Sequence, residues 1–411
     1  MARILFLSEL LPYPLVTGAK IRAYYVLRHL ARSHQVTLLT FVRDDDRPED
    51  IAHLEGFLEQ VHTVPMQRSR ARDARALLVG LMTGRPAIIA REEIEDMSRQ
   101  VQDLLATGRF DAVHADQIPM AQYGLLGQET GIRRLLDQHN ATFQLVERLA
   151  HHEPSPWKRV FLRREARAFG RYEAAVCRRF DHVTFVTSQD RQTLLARMGD
   201  EAQAERTSVI PICIDTEEVQ PVTPAAAPDR VTYLGTMYWP PNVEGFTWFW
   251  ENVWPQVQRQ APHARLTCIG KRPPQAIRDL DKEPNVEILG YVPDLAPYLA
   301  ETAVFVVPLR AAGGMRVKIV DAWCWGLPVV STTIGAEGIE FRDGESILIA
   351  DSPHDFASAV VQVLTEQEVA GRLRAAGRRW AEERYDWRRI YGAWDKVYQR
   401  LLPETMRRGN P

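Results

Sequence analysis

The segment AVFVVPLRAAGGMRVKIVDAWCWGLPVVST, residues 303–332, carries small and charged residues spaced to hold a phosphate. A β-branched run enters a loop with Gly313 and Gly314, and Met315, Arg316 and Lys318 follow where a helical apolar period begins. Helix N-termini offer unpaired N–H groups and the positive end of the macrodipole. Glycines let backbone approach a ligand, and two cations complete a diphosphate cradle. A glycine loop alone reads equally well as a plain βα turn, so the weight rests on the combination. Asp321 stands one helical turn after Lys318, which puts a carboxylate on the same face.

Other candidates lie at strand ends. RRLLDQHN at 133–140 ends a predicted strand with His139 and Asn140 at its carboxyl end, where parallel sheets bind ligands. His114 and Asp116 in DAVHAD end another. Thr17-Gly18-Ala19 opens a predicted helix where a residue without Cβ admits close approach to the backbone. Asp44-Asp45-Asp46 has the DxD spacing of a metal site but follows the second strand as an acidic loop, so no metal is expected. The tryptophans from Trp239 to Trp254, and Trp323 with Trp325, are spaced for core packing rather than for a sugar platform.

These positions need an α/β scaffold. Strands are predicted at RILFLSE, QVTLLTF, VHTVPM, DAVHA, RRLLDQH, HVTFVTS and TSVIP, with helices between, the first over Ala19–Arg32. The stretch TEEVQPVTPAAAP has no periodicity and reads as a linker over 215–229. The pattern then restarts with VTYLGT, a helix over Val243–Gln260, ARLTCIG, NVEILG, TAVFVVPL, a helix over Arg316–Trp325, LPVVST and SILIA. Two doubly wound domains follow, at 1–214 and 230–384, facing each other across a ligand cleft.

Bulk properties agree. At 411 residues, two cores are the expectation. With 51 basic against 53 acidic side chains, a protein that coats nucleic acid is excluded, and any basic surface must be local. Cys177, Cys213, Cys268 and Cys324 are far apart, which argues against a zinc knuckle or disulfide framework and for a reducing cytoplasm. The longest apolar run, ALLVGLM at 76–82, is too short to span a membrane.

The chain resembles the retaining glycosyltransferases of the GT-B fold, family four. VDAWCWGLPVVST at 320–332 is close to that family's EAMAxGxPVVST. The likeness extends to the opening strand with its loop to Gly18, LGTMYWPPNVEG at 234–245, GYVPDLAPYLAETAVFVVPL at 290–309 and AEGIEFRDGESILIADSP at 336–353. YDWRRIYGAWDKVY at 385–398 resembles the closing helix, expected over 385–405, that returns to the first domain. The resemblance implies transfer of a sugar from a nucleotide-diphosphate sugar to a glycan, lipid-linked or small-molecule acceptor, in cell-surface polysaccharide synthesis, with no cofactor or metal. It assigns His139, Gly18 and Asn140 to catalysis. Gly313, Gly314, Met315, Arg316 and Lys318 go to the donor diphosphate, and Asp321, Tyr291 and Val292 to the nucleoside. The alternatives are a noncatalytic nucleotide-binding scaffold and a GT-B epimerase or phosphorylase.

Three positions depart from the family. Its pair of glutamates eight apart falls on Gly313 and Asp321. Thr236, Met237 and Asn242 stand where relatives carry Arg and Lys, which leaves that work to Arg316 and Lys318. Ile212-Cys213 replaces an Asn-Gly. Residues 157–180 hold eight Lys or Arg against two Glu, with apolar residues at spacings near three and four. That pattern fits an ordinary packed helix with a cationic outer face, and also peripheral contact with the inner face of a cell membrane, where relatives meet lipid-linked acceptors.

Overall fold

The computed structural model describes residues 1–67, 69–127, 131–199 and 201–402, so the last positions of the expected closing helix, 403–405, lie outside the described residues. The chain divides into two compact units, Met1–Cys213 with Ile390–Pro411, and Ile214–Arg389.

In the first unit seven strands form one sheet: β1 (Arg3–Ser8), β2 (Gln35–Val42), β3 (Gln60–Pro65), β4 (Ala112–Asp116), β5 (Arg133–Gln138), β6 (His182–Phe185) and β7 (Thr207–Val209). Their order is β3-β2-β1-β4-β5-β6-β7, and every pairing is parallel. Buried on both faces, the strands read as apolar runs, and Leu5, Leu7, Phe41, Val113 and Leu136 belong to one core with Phe169 of the helix Pro156–Cys177 and Phe180 in the turn after it. The strand order reverses between β1 and β4, where the carboxyl ends of an α/β sheet form a ligand site. Ser8 pairs with Asp116, Asp116 with Asp137, and Asp137 with Thr184, so one row of buried polar residues crosses four strands at that edge.

The second unit repeats the pattern with β8 (Arg230–Leu234), β9 (Arg265–Ile269), β10 (Val286–Leu289), β11 (Thr302–Val307), β12 (Val329–Ser331) and β13 (Leu348–Ile349). The order is β10-β9-β8-β11-β12-β13, again all parallel, with its reversal between β8 and β11.

The structure differs from the sequence expectations in four places. The helix expected over Val243–Gln260 starts at Pro240 and is interrupted by a π-helical stretch at Phe249–Val253. Pro255 has no N–H to give and would clash with the carbonyl four residues earlier, and a wider turn before it relieves both problems. The stretch 215–229 lies along the second unit: Thr216 accepts from Arg378 and bonds Asp386, Val222 N–H donates to the Trp325 carbonyl, and Ala225 N–H to that of Ala300. The segment 385–402 is not one helix. Its first residues stay with the second unit, where Asp386 bridges to Ile214, and the helix Gly392–Leu401 belongs to the first. Among the tryptophans, Trp254 and Trp323 are buried as expected, whereas Trp239 is 46% exposed.

Candidate active site

The first unit gathers charge at its switch point. His139 Nε2 lies 2.8 Å from Asp116 Oδ1 and 3.7 Å from Asp137 Oδ2, and Ser8 Oγ donates to Asp116 Oδ2 at 3.2 Å. Arg22, on the helix Gly18–Leu30, grips Asp137 with two hydrogen bonds of 2.7 and 2.8 Å. Its remaining nitrogen donates to the carbonyls of Ile210 and Pro211, and its guanidinium lies 5.1 Å from the centre of the Trp394 ring. Thr184 Oγ1 adds a 2.7 Å bond to Asp137 Oδ1.

Burial and neighbours set the protonation of these groups. Burial favours a neutral His139, but the charges and hydrogen bonds of Asp116 and Asp137 outweigh it and raise the imidazole to about 9. Burial opposes ionisation of Asp137 too, yet Arg22 and His139 hold it well below the carboxylate range. His114, behind them, is pushed down to about 3 by burial, reinforced by Arg22 and His139, and stays neutral with Nδ1 2.9 Å from the Tyr398 hydroxyl. Glu9, after β1, is pushed up to about 8 by burial and by Glu92.

Asp116, Asp137 and His139 offer donor atoms within 4.8 Å of one another, as a metal site would. Both Asp137 oxygens are already taken by Arg22 and one Asp116 oxygen by His139, so the trio is built as a neutralised ion network. Asn140 Oδ1 accepts from Thr142 Oγ1 and orders the start of the helix Thr142–His152, whose first N–H groups are capped by Glu173. Gly18 opens its helix behind Thr17, whose hydroxyl accepts from Lys20 N–H.

In the second unit the loop after β11 reaches Gly314 at φ 70°, a left-handed conformation that glycine adopts without cost. Gly313 is half-buried and Met315 is 8% exposed. Arg316 caps the helix Val317–Cys324 and donates to the Gly314 carbonyl at 2.5 Å. Lys318 points across to the end of β8, where its Nζ donates to Asn242 Oδ1 at 3.1 Å and lies 5.1 Å from the Tyr233 ring centre. A Cβ on Gly235 would stand 2.9 Å from that Nζ, so glycine there admits the ammonium. Asn242 is fixed in turn by donating to the Thr236 carbonyl at 3.0 Å. Burial and Arg316 lower Lys318 to about 7, and burial raises Asp321 to about 7 against the pull of Lys318. Tyr291 is exposed beneath Lys271, and Val292 beside it is half-buried, both just past the carboxyl end of β10.

Each switch point thus holds some of the sequence candidates: His139, Asn140, His114 and Asp116 in the first unit, and Gly313 to Lys318 with Asp321 in the second. Arg22 and Asp137 were missed. Their signal was an arginine three and four residues before Tyr25 and Val26, on the apolar side of its helix, and an acid within a strand predicted to be buried on both faces.

Two family models match the chain, one described as a glycosyl transferase 4-like domain over residues 17–213 and one as glycosyl transferases group 1 over 228–366. The chain is a glycosyltransferase and belongs to the GT-B class. Among individual proteins, it is 23% identical to an uncharacterized 44.6 kDa protein in the cps region of Klebsiella pneumoniae, over 96% of this chain and 99% of that one. It is 25% identical to a GDP-mannose-dependent alpha-(1-6)-phosphatidylinositol monomannoside mannosyltransferase of Mycolicibacterium smegmatis, over 66% of this chain and 71% of that one. In fold it is similar to HepE of Anabaena, solved with UDP-glucose, with a TM-score of 0.68 and 16% identity over 98% of this chain and 100% of that one.

Proposed function

We propose that the chain transfers a sugar from a nucleotide-diphosphate sugar to a glycan or lipid-linked acceptor, with retention of anomeric configuration and without a metal, in the cytoplasmic assembly of a cell-surface polysaccharide. The observation that carries this reading is Lys318. Its ammonium is drawn into the end of β8, is bonded to the neutral amide of Asn242 and has its proton affinity depressed beside Arg316. A donor diphosphate there supplies the counter-charge, and Arg316 and Lys318 stabilise the negative charge that grows on it as the glycosidic bond breaks. Gly313, Gly314 and Met315 bring backbone to the phosphates. Asp321 takes the ribose hydroxyls, and the backbone at Tyr291 and Val292 takes the base.

His139 is assigned to the transferred sugar as a fixed imidazolium, with Gly18 and Asn140 beside it in the first unit. The donor dependence of the named mannosyltransferase and the UDP-glucose complex of HepE support a nucleotide sugar. Retention rests on the resemblance of VDAWCWGLPVVST to the family-four motif. A panel of nucleotide sugars tests the reading, with released nucleoside diphosphate as readout and the anomeric configuration of the product read by NMR. At least one donor should be consumed with retention. Inversion, or no release with any donor and acceptor, contradicts it.

A further inference from the structure

The helix Thr142–His152 starts just after His139, and its N-cap position holds Ala141, whose methyl group cannot accept from the first N–H groups. Two carboxylates from other elements supply what the local sequence lacks. Glu173, on the helix Pro156–Cys177, accepts from Thr142 N–H at 2.8 Å, from Phe143 N–H at 3.3 Å and from Gln138 Nε2 at 3.0 Å. Asp190, in the first turn of the helix Ser188–Met198, accepts from Ala141 N–H at 2.8 Å. Gln138 Nε2 also donates to the Asn140 carbonyl at 2.8 Å. The residues on both sides of His139 are thus tied to these two acids or to Gln138, and the imidazole is left to meet Asp116.

Strand pairing explains why two acids meet here. β5 and β6 are parallel neighbours, with Gln138 opposite Phe185, so the positive ends of the helices that follow them come together. Asp190 joins the two ends: Oδ1 takes Ala141 N–H, and Oδ2 accepts from Thr187 Oγ1, which in turn accepts from Asp190 N–H at 2.9 Å. Glu173 and Asp190 are both buried. Burying a carboxylate is costly, and burial raises Glu173 to about 7 in spite of its hydrogen bonds. What the two acids gain for that cost is a fixed segment 138–143.

We propose that Glu173 and Asp190 are positioning residues for His139, clamping the strand-end segment so that the imidazole stays against Asp116 and Asp137. His139 Nε2 lies 2.8 Å from Asp116 and 3.7 Å from Asp137, and contacts this short persist only while the backbone that carries the ring is held. Neither clamping acid is among the groups that set the charge of His139 directly, which are Asp116 and Asp137. Their influence passes through the position of the segment. The part His139 plays in transfer rests on the proposed function, whereas its placement does not.

The test is an NMR titration of the His139 imidazole in the full chain, its signal assigned by its loss in His139→Gln. It compares wild type with Glu173→Gln, Asp190→Asn and Thr187→Val, and with Ser352→Ala, which removes the N-cap hydroxyl of a helix in the second unit. Thermal melts confirm that each variant folds. Wild type should titrate at about 9. Glu173→Gln and Asp190→Asn should lower that value by about a unit or more, towards the ordinary 6.5. Thr187→Val changes no charge and should lower it in the same direction, because it frees Asp190. Ser352→Ala should leave it unchanged. An unshifted imidazole in folded Glu173→Gln and Asp190→Asn overturns the proposal, and if neither folds, an unshifted imidazole in Thr187→Val does so. Sugar transfer by the same variants should fall in kcat with the donor KM little changed. A lowered imidazole pKa with full transfer upholds the clamp and removes His139 from the reaction, so the two readings fail separately.

Discussion

Arg22 and Asp137, far apart in sequence, are joined by two hydrogen bonds of 2.7 and 2.8 Å, and neither side chain is exposed. Asp137 touches His139 on its other side, so the pair anchors the ionised network at the first switch point. Removing one member of such a pair leaves an uncompensated buried charge. Arg22→Met should therefore destabilise the protein by about 3–5 kcal/mol in urea unfolding, and Arg22→Met/Asp137→Leu should recover part of the loss. A single-variant cost below about 1 kcal/mol, the level of a surface pair, would show that the pair does not hold the network.

His139 links that network to pH. Its folded pKa, about 9, lies above its ordinary 6.5, so the imidazolium contributes stability that is fully present below about pH 6.5 and lost as pH rises through about 9. The contribution is of the order of a few kcal/mol. Between pH 6.5 and 9 the wild type should therefore lose stability relative to His139→Gln, read as the difference between the two urea-unfolding curves against pH. Parallel curves across that window would mean that the histidine is not held charged.

Lys318 behaves in the opposite sense. Lowered to about 7, it is largely neutral a unit above that pH, and a bound diphosphate restores its proton. Nucleoside diphosphate binding at about pH 8 should therefore take up a fraction of a proton, measured by calorimetry in buffers of different ionisation enthalpy. Lys318→Arg keeps the charge without the titration and should bind with no uptake. Equal uptake in both proteins would place the titrating group elsewhere.

The second switch point was readable because its chemistry is local in sequence. Gly313 to Asp321 span one loop and one helix, and strand–loop–helix geometry alone brings them together. The first switch point was readable only at strand ends. His139 and Asp116 announced themselves as polar residues closing apolar runs, but Arg22 and Asp137 meet through tertiary packing that no spacing encodes. Pro255 lies inside the helix expected as continuous over Val243–Gln260, and the apolar period that suggested that helix did not show that the turn before the proline widens. The apolar positions of residues 157–180 showed amphipathicity, but not that the first turns face outward while Phe169, Val176 and Phe180 face the core.

The most direct test of the donor site is calorimetric titration of the wild type, Arg316→Ala and Lys318→Ala with a panel of nucleoside diphosphates. At least one nucleotide should bind the wild type. Each variant should raise its Kd by about tenfold to a hundredfold, the range for losing one hydrogen bond to a charged group, with the thermal melt unchanged. Unchanged affinity in both variants would contradict the assignment of the Gly313–Lys318 loop to the donor diphosphate.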